Sequence, residues 1–370
     1  MGDPRRTLSH AERRDWLRLY RSENVGPATF FRLLERFGTP AKALELLPSM
    51  ARQGGGRKAL GVCSIAAAER ELEALERLNA RLIASVESDF PATLRPLETA
   101  PLLIVRGNPA LLNGQAVAVV GARNASALGR RMAKNLAIDL GENGYVVVSG
   151  MARGIDTAAH EGAMARGTVA VLAGGVDIVY PQENRGLYER LLAEGCIISE
   201  ISPGTQPQAA HFPRRNRLIS GLSLGVVVVE AAPKSGSLIT ARIALDQGRE
   251  IFAVPGSPFD PRCQGTNGLI KQGATLTESA ADVLDVLAPP DKFRCTRTVP
   301  NAVETAEPGD DELVEARKII LPALAPAPVM VDEIIRQCQL SPAVVSMVLV
   351  ELELAGRLER HPDNQISLLP

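Results

Sequence analysis

From residue 101 to residue 287 the sequence alternates between short, uninterrupted apolar runs and segments of helical spacing, and nothing else in the chain limits its fold so sharply. The apolar runs are Pro101 to Val105, Ala116 to Val120, Tyr145 to Val148, Thr168 to Leu172, Cys196 to Ser199, Leu224 to Val229 and Glu250 to Val254. Between and after them lie helical patterns at Ala127 to Asn143, Thr157 to Arg166, Glu183 to Glu194, Pro213 to Ser220, Ser237 to Gln247 and Ser279 to Leu287. A strand that is apolar on both faces must be covered on both faces. Such strands alternating with helices predict an α/β, doubly wound parallel sheet of Rossmann-like type, here over residues 82–288.

The flanking segments have a different texture. Residues 1–81 are rich in Leu, Ala, Arg and Glu, with helical spacing in Glu12 to Tyr20, Ala28 to Phe37, Pro40 to Leu46 and Ile65 to Leu82. Within them NVGPATFFRLLERFGTPAKAL resembles a helix-hairpin-helix (SAM-like) element, with a Val25-Gly26-Pro27 turn and a Phe37-Gly38 stop. Such a turn can present backbone N–H groups to phosphates or serve as a plain packing unit. The run Arg52 to Lys58 reads as a solvated loop. Residues 289–311, with Pro289-Pro290 and the stretch Thr296 to Asp311, read as a linker. In residues 312–370 helices are expected at Glu312 to Leu321, Val331 to Gln337 and Pro342 to Ala355. A hairpin of Arg357 to Arg360 with Gln365 to Leu368 completes a winged-helix pattern. Its last helix, PAVVSMVLVELELA, carries Glu351 and Glu353 and no basic residue, so a packing or protein-interaction role is expected of it rather than duplex reading.

Composition narrows the function classes. The chain has 370 residues, 45% hydrophobic and 22% charged, as expected of a globular protein. Its net charge of −1 means that a polyanion would have to be held by a local basic cluster. Cys63, Cys196, Cys263, Cys295 and Cys338 are scattered singly, a pattern of reduced thiols, and His10, His160, His211 and His361 have no metal-ligand spacing. No apolar stretch approaches the roughly 20 residues that span a bilayer, and the N-terminus has no hydrophobic signal core. A cytoplasmic protein without cofactor, metal or membrane partner is expected.

The chemistry gathers after the strands. In QAVAVVGARNASALGRR a buried strand runs into Gly121, Arg123 and Ser126 and then into a helix whose N-terminus can receive an anion. Glycine turns also follow at Ser149 to Asp156, Ala173 to Pro181, Glu230 to Thr240 and Val254 to Ser257, which converge on one sheet edge if the strands are parallel. Phe212-Pro213-Arg214-Arg215-Asn216-Arg217 puts three guanidinium groups at a helix start, where positive charge is unfavourable unless an anion offsets it. With Arg123 and Lys234 they would form a basic pocket, and Phe212 and Tyr180 could stack on bases. Neither a GxxxxGK[ST] loop nor a GxGxxG turn is present, leaving a mononucleotide or a nucleic-acid backbone. Carboxylates for acid/base work exist in Asp156 (four residues before His160), Asp177, Glu200 and Glu230, but no triad or metal cluster stands out, and Asp156 is expected to cap the helix that follows it.

These motifs, VVGARNAS, VVSGMARGIDTAAHEGA, VAVLAGGVDIVYPQEN, ISE, HFPRRNRLISGLS, VVVVEAAPKSGSLITARIALDQGREIFAVPGS and GTNGLIKQGA, are long and ordered. Through them the chain resembles the DNA-processing protein A (DprA/Smf) family over almost its full length. The resemblance implies an extended Rossmann domain that binds single-stranded DNA, dimerises, and helps load the RecA recombinase on incoming strands in natural transformation, without an enzymatic step. It places DNA contacts at Arg123, at Arg215, Asn216 and Arg217 of the RNR element, and at Lys234 before the SGS turn. Gly121, Ser126, Arg214, Ser235, Gly236 and Ser237 complete the expected site. Ala122 stands where the family commonly has serine, and Ala127-Leu128 where a proline and an aromatic are frequent, departures that bear on a hydroxyl and a stacking contact at this turn. The alternative is a nucleotide-processing enzyme, such as a phosphoribohydrolase, using the same glycine turns. Gly248 to Leu276 is the expected dimer surface, because its apolar residues exceed what one sheet edge needs.

Overall fold

A computed structural model describes residues 6–55, 59–287, 310–361 and 364–369. In chain order the elements are α1 (His10–Arg21), α2 (Pro27–Phe37), α3 (Pro40–Gln53), α4 (Ile65–Arg77), β1 (Arg81–Ala84), β2 (Leu102–Gly107), β3 (Ala116–Val120), α5 (Ala127–Glu142), β4 (Val146–Ser149), α6 (Ile155–Ala163), β5 (Thr168–Val171), α7 (Arg185–Glu194), β6 (Cys196–Ser199), α8 (His211–Leu222), β7 (Gly225–Val228), α9 (Gly236–Asp246), β8 (Glu250–Ala253), α10 (Gln264–Lys271), β9 (Thr275–Leu276) and α11 (Ala280–Leu287). The C-terminal part follows with α12 (Asp310–Ala323), β10 (Val329–Met330), α13 (Val331–Cys338), α14 (Pro342–Leu354), β11 (Leu358–His361) and β12 (Gln365–Leu368).

The chain divides into two compact units, one of residues 1–8 with 70–291 and one of 9–69 with 292–370. In the first, the described strands form one sheet in the order β1-β2-β6-β5-β4-β3-β7-β8-β9. Strands β3 to β8 pair parallel with one another, as their two-sided apolar sequences require. All five residues of β3 and all four of β4, β5, β6 and β7 are buried. One core layer, made by Ala118, Val120, Val148, Val171, Ile198 and Val228, packs with Leu218 and Ile219 of α8 and Ala241 of α9. The other carries Val117, Val119, Val147 and Val227 against Leu136, Leu140 and Ile155 of α5 and α6. Both faces are therefore covered by helices.

The parallel arrangement does not run through the whole sheet. β1 and β2 are antiparallel to their neighbours, and β1 begins within the segment whose spacing predicts helix to Leu82. Helix α4 ends at Arg77, and Asn79 turns with a positive φ of 50° so that Leu82 to Ala84 pair with β2. Three apolar residues beside an arginine are too short a run to separate a strand from a helix by period alone.

In the second unit α1 opens with a capping box, Ser9 and Glu12 each receiving the other's backbone N–H. Trp16 and Phe30 pack in its core with ring centroids 5.1 Å apart, and Gly38 ends α2 at a φ of 71°. The helices α12, α13 and α14 with the sheet β10-β12-β11 have the winged-helix arrangement. Most of the 289–311 segment read as a linker, and Gly56, Arg57 and Lys58 of the loop reading, lie outside the described residues; Arg52 and Gln53 of that run are the last turn of α3.

Candidate functional site

The sheet has its winding reversal between β3 and β7: β4, β5 and β6 extend to one side of β3, β7 and β8 to the other. Such a reversal opens a crevice at the carboxyl ends of the strands. The turn 121–126 after β3 and the turn 229–235 after β7 flank it. Here the crevice is filled from within. Ser126 donates to the carboxylate of Glu230 through both its N–H, 2.9 Å to Oε2, and its hydroxyl, 2.6 Å to Oε1. The same hydroxyl accepts from Gly129 N at 2.9 Å, capping α5. A Cβ at residue 129 would lie 2.5 Å from Glu230, so only glycine leaves room for the carboxylate. The helix N-terminus that the sequence offers to an anion thus holds the chain's own anion. Gly121 is likewise packed inward, with Ile155 2.7 Å from where a Cβ would stand.

The open cleft lies beside this plug, over the ends of β4 and β5. It encloses about 500 Å³ including its mouth and is lined by Arg123, Gly150, Ala152, Arg153, Ala173, Gly174, Tyr180, Pro207, Phe212 and Arg215, among others. The Arg123 guanidinium stands over the Phe212 ring, 5.2 Å from its centroid, and the half-exposed Tyr180 ring is 5.9 Å from Phe212. A cation held over an aromatic face keeps its charge while its stem is fixed. Arg153, which is not among the residues expected from the sequence, is exposed on the rim and ion-paired with Glu183 at 3.5 Å. Its only signal in the sequence is that of a basic residue in the glycine turn after β4.

Arg215 forms the floor. It is 8% exposed, and a Cβ at residue 150 would sit 1.6 Å from its Nη1, so Gly150 is the condition for its entry. Burial, more than Arg123 nearby, lowers its pKa to about 10, against the opposing pull of Asp156. Its Nε has no hydrogen-bond partner among the described residues. Asp156 is also buried, which raises its pKa, although Arg215 and the backbone N–H groups of Ala152 and Gly150 pull the other way. Asp156 does not cap α6, whose N-cap is Gly154; its Oδ2 accepts from Gly150 N and Ala152 N, both at 3.2 Å. Between those two donors Met151 is held at a φ of 57°, its carbonyl receiving Asn184 Nδ2 at 2.9 Å. A non-glycine residue in this region is strained and persists because its neighbours fix it. Gly154, at a φ of 82°, sets α6 against the Arg123 turn, where a Cβ would meet Ala122 O at 2.3 Å.

The remaining residues of the expected site separate. Arg214 is exposed. Arg217 turns inward and is paired with Glu200 and with the carbonyl of Thr99. Asn216 donates to Gly236 O at 3.4 Å, tying α8 to the start of α9. Lys234 is exposed in the turn after β7, and Ser235 caps α9 through Ser237 N, its hydroxyl 2.7 Å from that of Ser237. Lys234 to Ser237 do not line the cleft, although β3 and β7 are neighbours and put Arg123 and Lys234 on the same sheet edge.

Behind the floor, His160 is fully buried. The Thr168 hydroxyl donates its one proton to Val147 O at 2.7 Å, so it accepts from His160 Nδ1, also at 2.7 Å. Nε2 is then a bare nitrogen without a partner among the described residues. Burial, and secondly Arg215, lower the His160 pKa to about 3 from 6.5. Below pH 6.5 the unfolded chain takes up a proton that the folded chain refuses until about pH 3. Stability from this group is therefore complete above pH 6.5 and falls by about 1.4 kcal/mol per pH unit as the pH drops through that window. Asp156, with its raised pKa, works in the opposite sense on approach to 3.8. Urea midpoints from pH 7 to pH 4 for wild type and His160→Leu isolate the histidine: the variant should lose this slope, and equal slopes would refute the assignment.

The family model described as DNA recombination-mediator protein A matches residues 81–288, that of a DprA-like N-terminal HHH domain residues 10–74, and that of a DprA winged helix domain residues 304–364. DNA processing protein DprA of Bacillus subtilis is 43% identical over 222 residues, 59% of this chain and 75% of that one. The X-ray structure of DNA processing protein A from Streptococcus pneumoniae superimposes with a TM-score of 0.62 at 32% identity, covering 76% of this chain and 98% of the other. The structure of DNA processing protein A from Helicobacter pylori, described for its single-stranded DNA binding mode, gives a TM-score of 0.51 at 29% identity, covering 56% and 95%.

Proposed function

From the premise that this chain belongs to the DNA recombination-mediator protein A family, we propose that it binds single-stranded DNA in the cleft over β4 and β5 and acts there as a recombination mediator that hands the strand to the RecA recombinase. The observation that carries this reading is the cleft itself: Arg123 over Phe212, Tyr180 beside it, and the Arg215 guanidinium in its floor. Guanidinium groups suit the phosphates of a strand, and the two rings suit unpaired bases, whose faces are hidden in a duplex. Lys234 and the Ser235 to Ser237 turn extend the same sheet edge and would carry the strand onward. The binding mode described for the Helicobacter pylori relative supports the same substrate.

The reading is tested by titrating the protein with a short deoxythymidine oligonucleotide across a salt series. Contacts by Arg123, Lys234 and Arg215 should give a slope of log affinity against log salt of about −0.7 for each phosphate neutralised. A matching duplex should compete weakly. A flat salt response, or equal competition by duplex, would remove the proposal.

No enzymatic step is part of this function. The carboxylate best placed for one at the β3–β7 crevice, Glu230, already has both oxygens engaged by Ser126. Incubation with nucleoside monophosphates should accordingly release no free base. The protein is further proposed to act in the cytoplasm as a homodimer through the central unit. Supporting this, Phe259 is 94% exposed, Leu245 and Leu276 are also exposed, and the short β9 leaves the sheet edge open.

A further inference from the structure

In a winged-helix DNA reader the helix before the wing is presented to the major groove. Here that helix is α14, and it is buried on almost every side. Val344, Val345, Met347 to Leu352 and Leu354 are all buried, and Glu351 is 1% exposed. Its acidic residues are spent inside the C-terminal part: Glu351 pairs with Arg317 of α12 at 2.5 Å, and Glu353 with Arg360 of β11 at 3.1 Å. What covers the remaining side is the N-terminal part of the same unit, which lies about 300 residues away in the sequence.

The contact is close: the Gly54 backbone packs on the α14 backbone, and two side chains bond backbone carbonyls across it. Gly54, after the end of α3, lies so close that a Cβ there would stand 2.1 Å from Glu351 O and 3.0 Å from the Ala355 side chain. Arg357 Nη1 reaches Gly54 O at 3.4 Å. On the other flank Asn24, in the turn between α1 and α2 at a φ of 59°, donates from Nδ2 to Leu354 O at 3.1 Å, one of the carbonyls left over at the end of α14. A pair of hydrogen bonds and a glycine contact at a helix end fix one orientation of two modules.

We propose that the C-terminal winged helix is an intrachain clasp: α14 is a docking helix whose partner is the N-terminal helical module, and it is not available to read duplex DNA. The pairing closes the chain into a loop, because the two halves of the clasp flank residues 70–291 in the sequence. In the clasped state α14 could meet nucleic acid or another protein only after the N-terminal module lets go.

The test uses the full chain with a protease-recognition sequence placed within residues 296–306. After cutting, the C-terminal fragment should co-elute with the rest of the protein on size exclusion at about 1 μM, where only a specific contact holds. Gly54→Leu forces overpacking against the α14 backbone and should weaken fragment retention roughly 10- to 100-fold. Arg357→Ala and Asn24→Ala remove single hydrogen bonds without touching either core and should each weaken it a few-fold, with unchanged far-UV circular dichroism. A wild-type fragment that elutes alone would overturn the clasp. So would full retention in all three variants, whether or not Gly54→Leu folds well.

Discussion

Replacing Arg123 with alanine should lower affinity for a single-stranded oligonucleotide by about 10- to 100-fold, the range lost with one charge-assisted contact. The salt slope should shrink by about 0.7, one phosphate contact. The position is demanding because Arg123 does two things: it supplies charge at the mouth of the cleft, and its guanidinium covers the Phe212 ring. Arg123→Lys keeps the charge but not the planar fork, and should recover the slope better than the affinity. Arg217→Ala is the informative contrast. Its guanidinium is committed to Glu200 and Thr99, so its loss should reduce stability and leave the salt slope near wild type. Unchanged affinity in Arg123→Ala would place the strand elsewhere.

Removing Asp156 should have the larger effect on stability. Asp156→Ala strips the buried Arg215 guanidinium of the carboxylate whose field favours its charge, and each buried donor left unpaired costs about 1–3 kcal/mol. It also frees Gly150 N and Ala152 N and slackens the strained Met151 turn that forms the cleft wall. Hydrogen exchange of the β3, β4 and β5 amides would read the loss in the central unit alone. Asp156→Ala with Arg215→Met should recover part of it, because the guanidinium charge is removed together with the carboxylate whose field favours it. If the double variant were as unstable as the sum of the single ones, the two side chains would not be coupled.

Much of the fold was legible because burial on two faces leaves an unambiguous trace. The runs from Ala116 to Val120 and from Cys196 to Ser199 match β3 and β6 residue for residue, since a strand with helices on both sides is apolar throughout save for a satisfied hydroxyl such as that of Ser199, which donates to Gly174 O at 2.7 Å. PAVVSMVLVELELA is apolar nearly all round, which already marks α14 as a buried helix. β1 was not legible: its cue is three residues long, and its place is assigned by β2, which shares no local signal with it.

The site was legible as a place but not as a set of contacts. Local order along the chain fixes that glycine turns with Arg123, Arg153 and Lys234 follow parallel strands, and parallel strands bring those turns to one edge whatever the side chains do later. Local order does not fix which way each side chain faces. Arg214, Arg215 and Arg217 are near neighbours in sequence, yet a helix rotates about 100° per residue, so one is exposed, one floors the cleft and one is held by Glu200. Glu230 reaches the cap of α5 from 104 residues away, and Asn24 reaches Leu354 from 330. Strands, turns and the basic character of the edge were thus determined by the sequence alone, through burial and spacing. Which charges face solvent, which cancel one another, and which ends of the chain clasp were decided by tertiary packing, because each depends on a partner that no local pattern names.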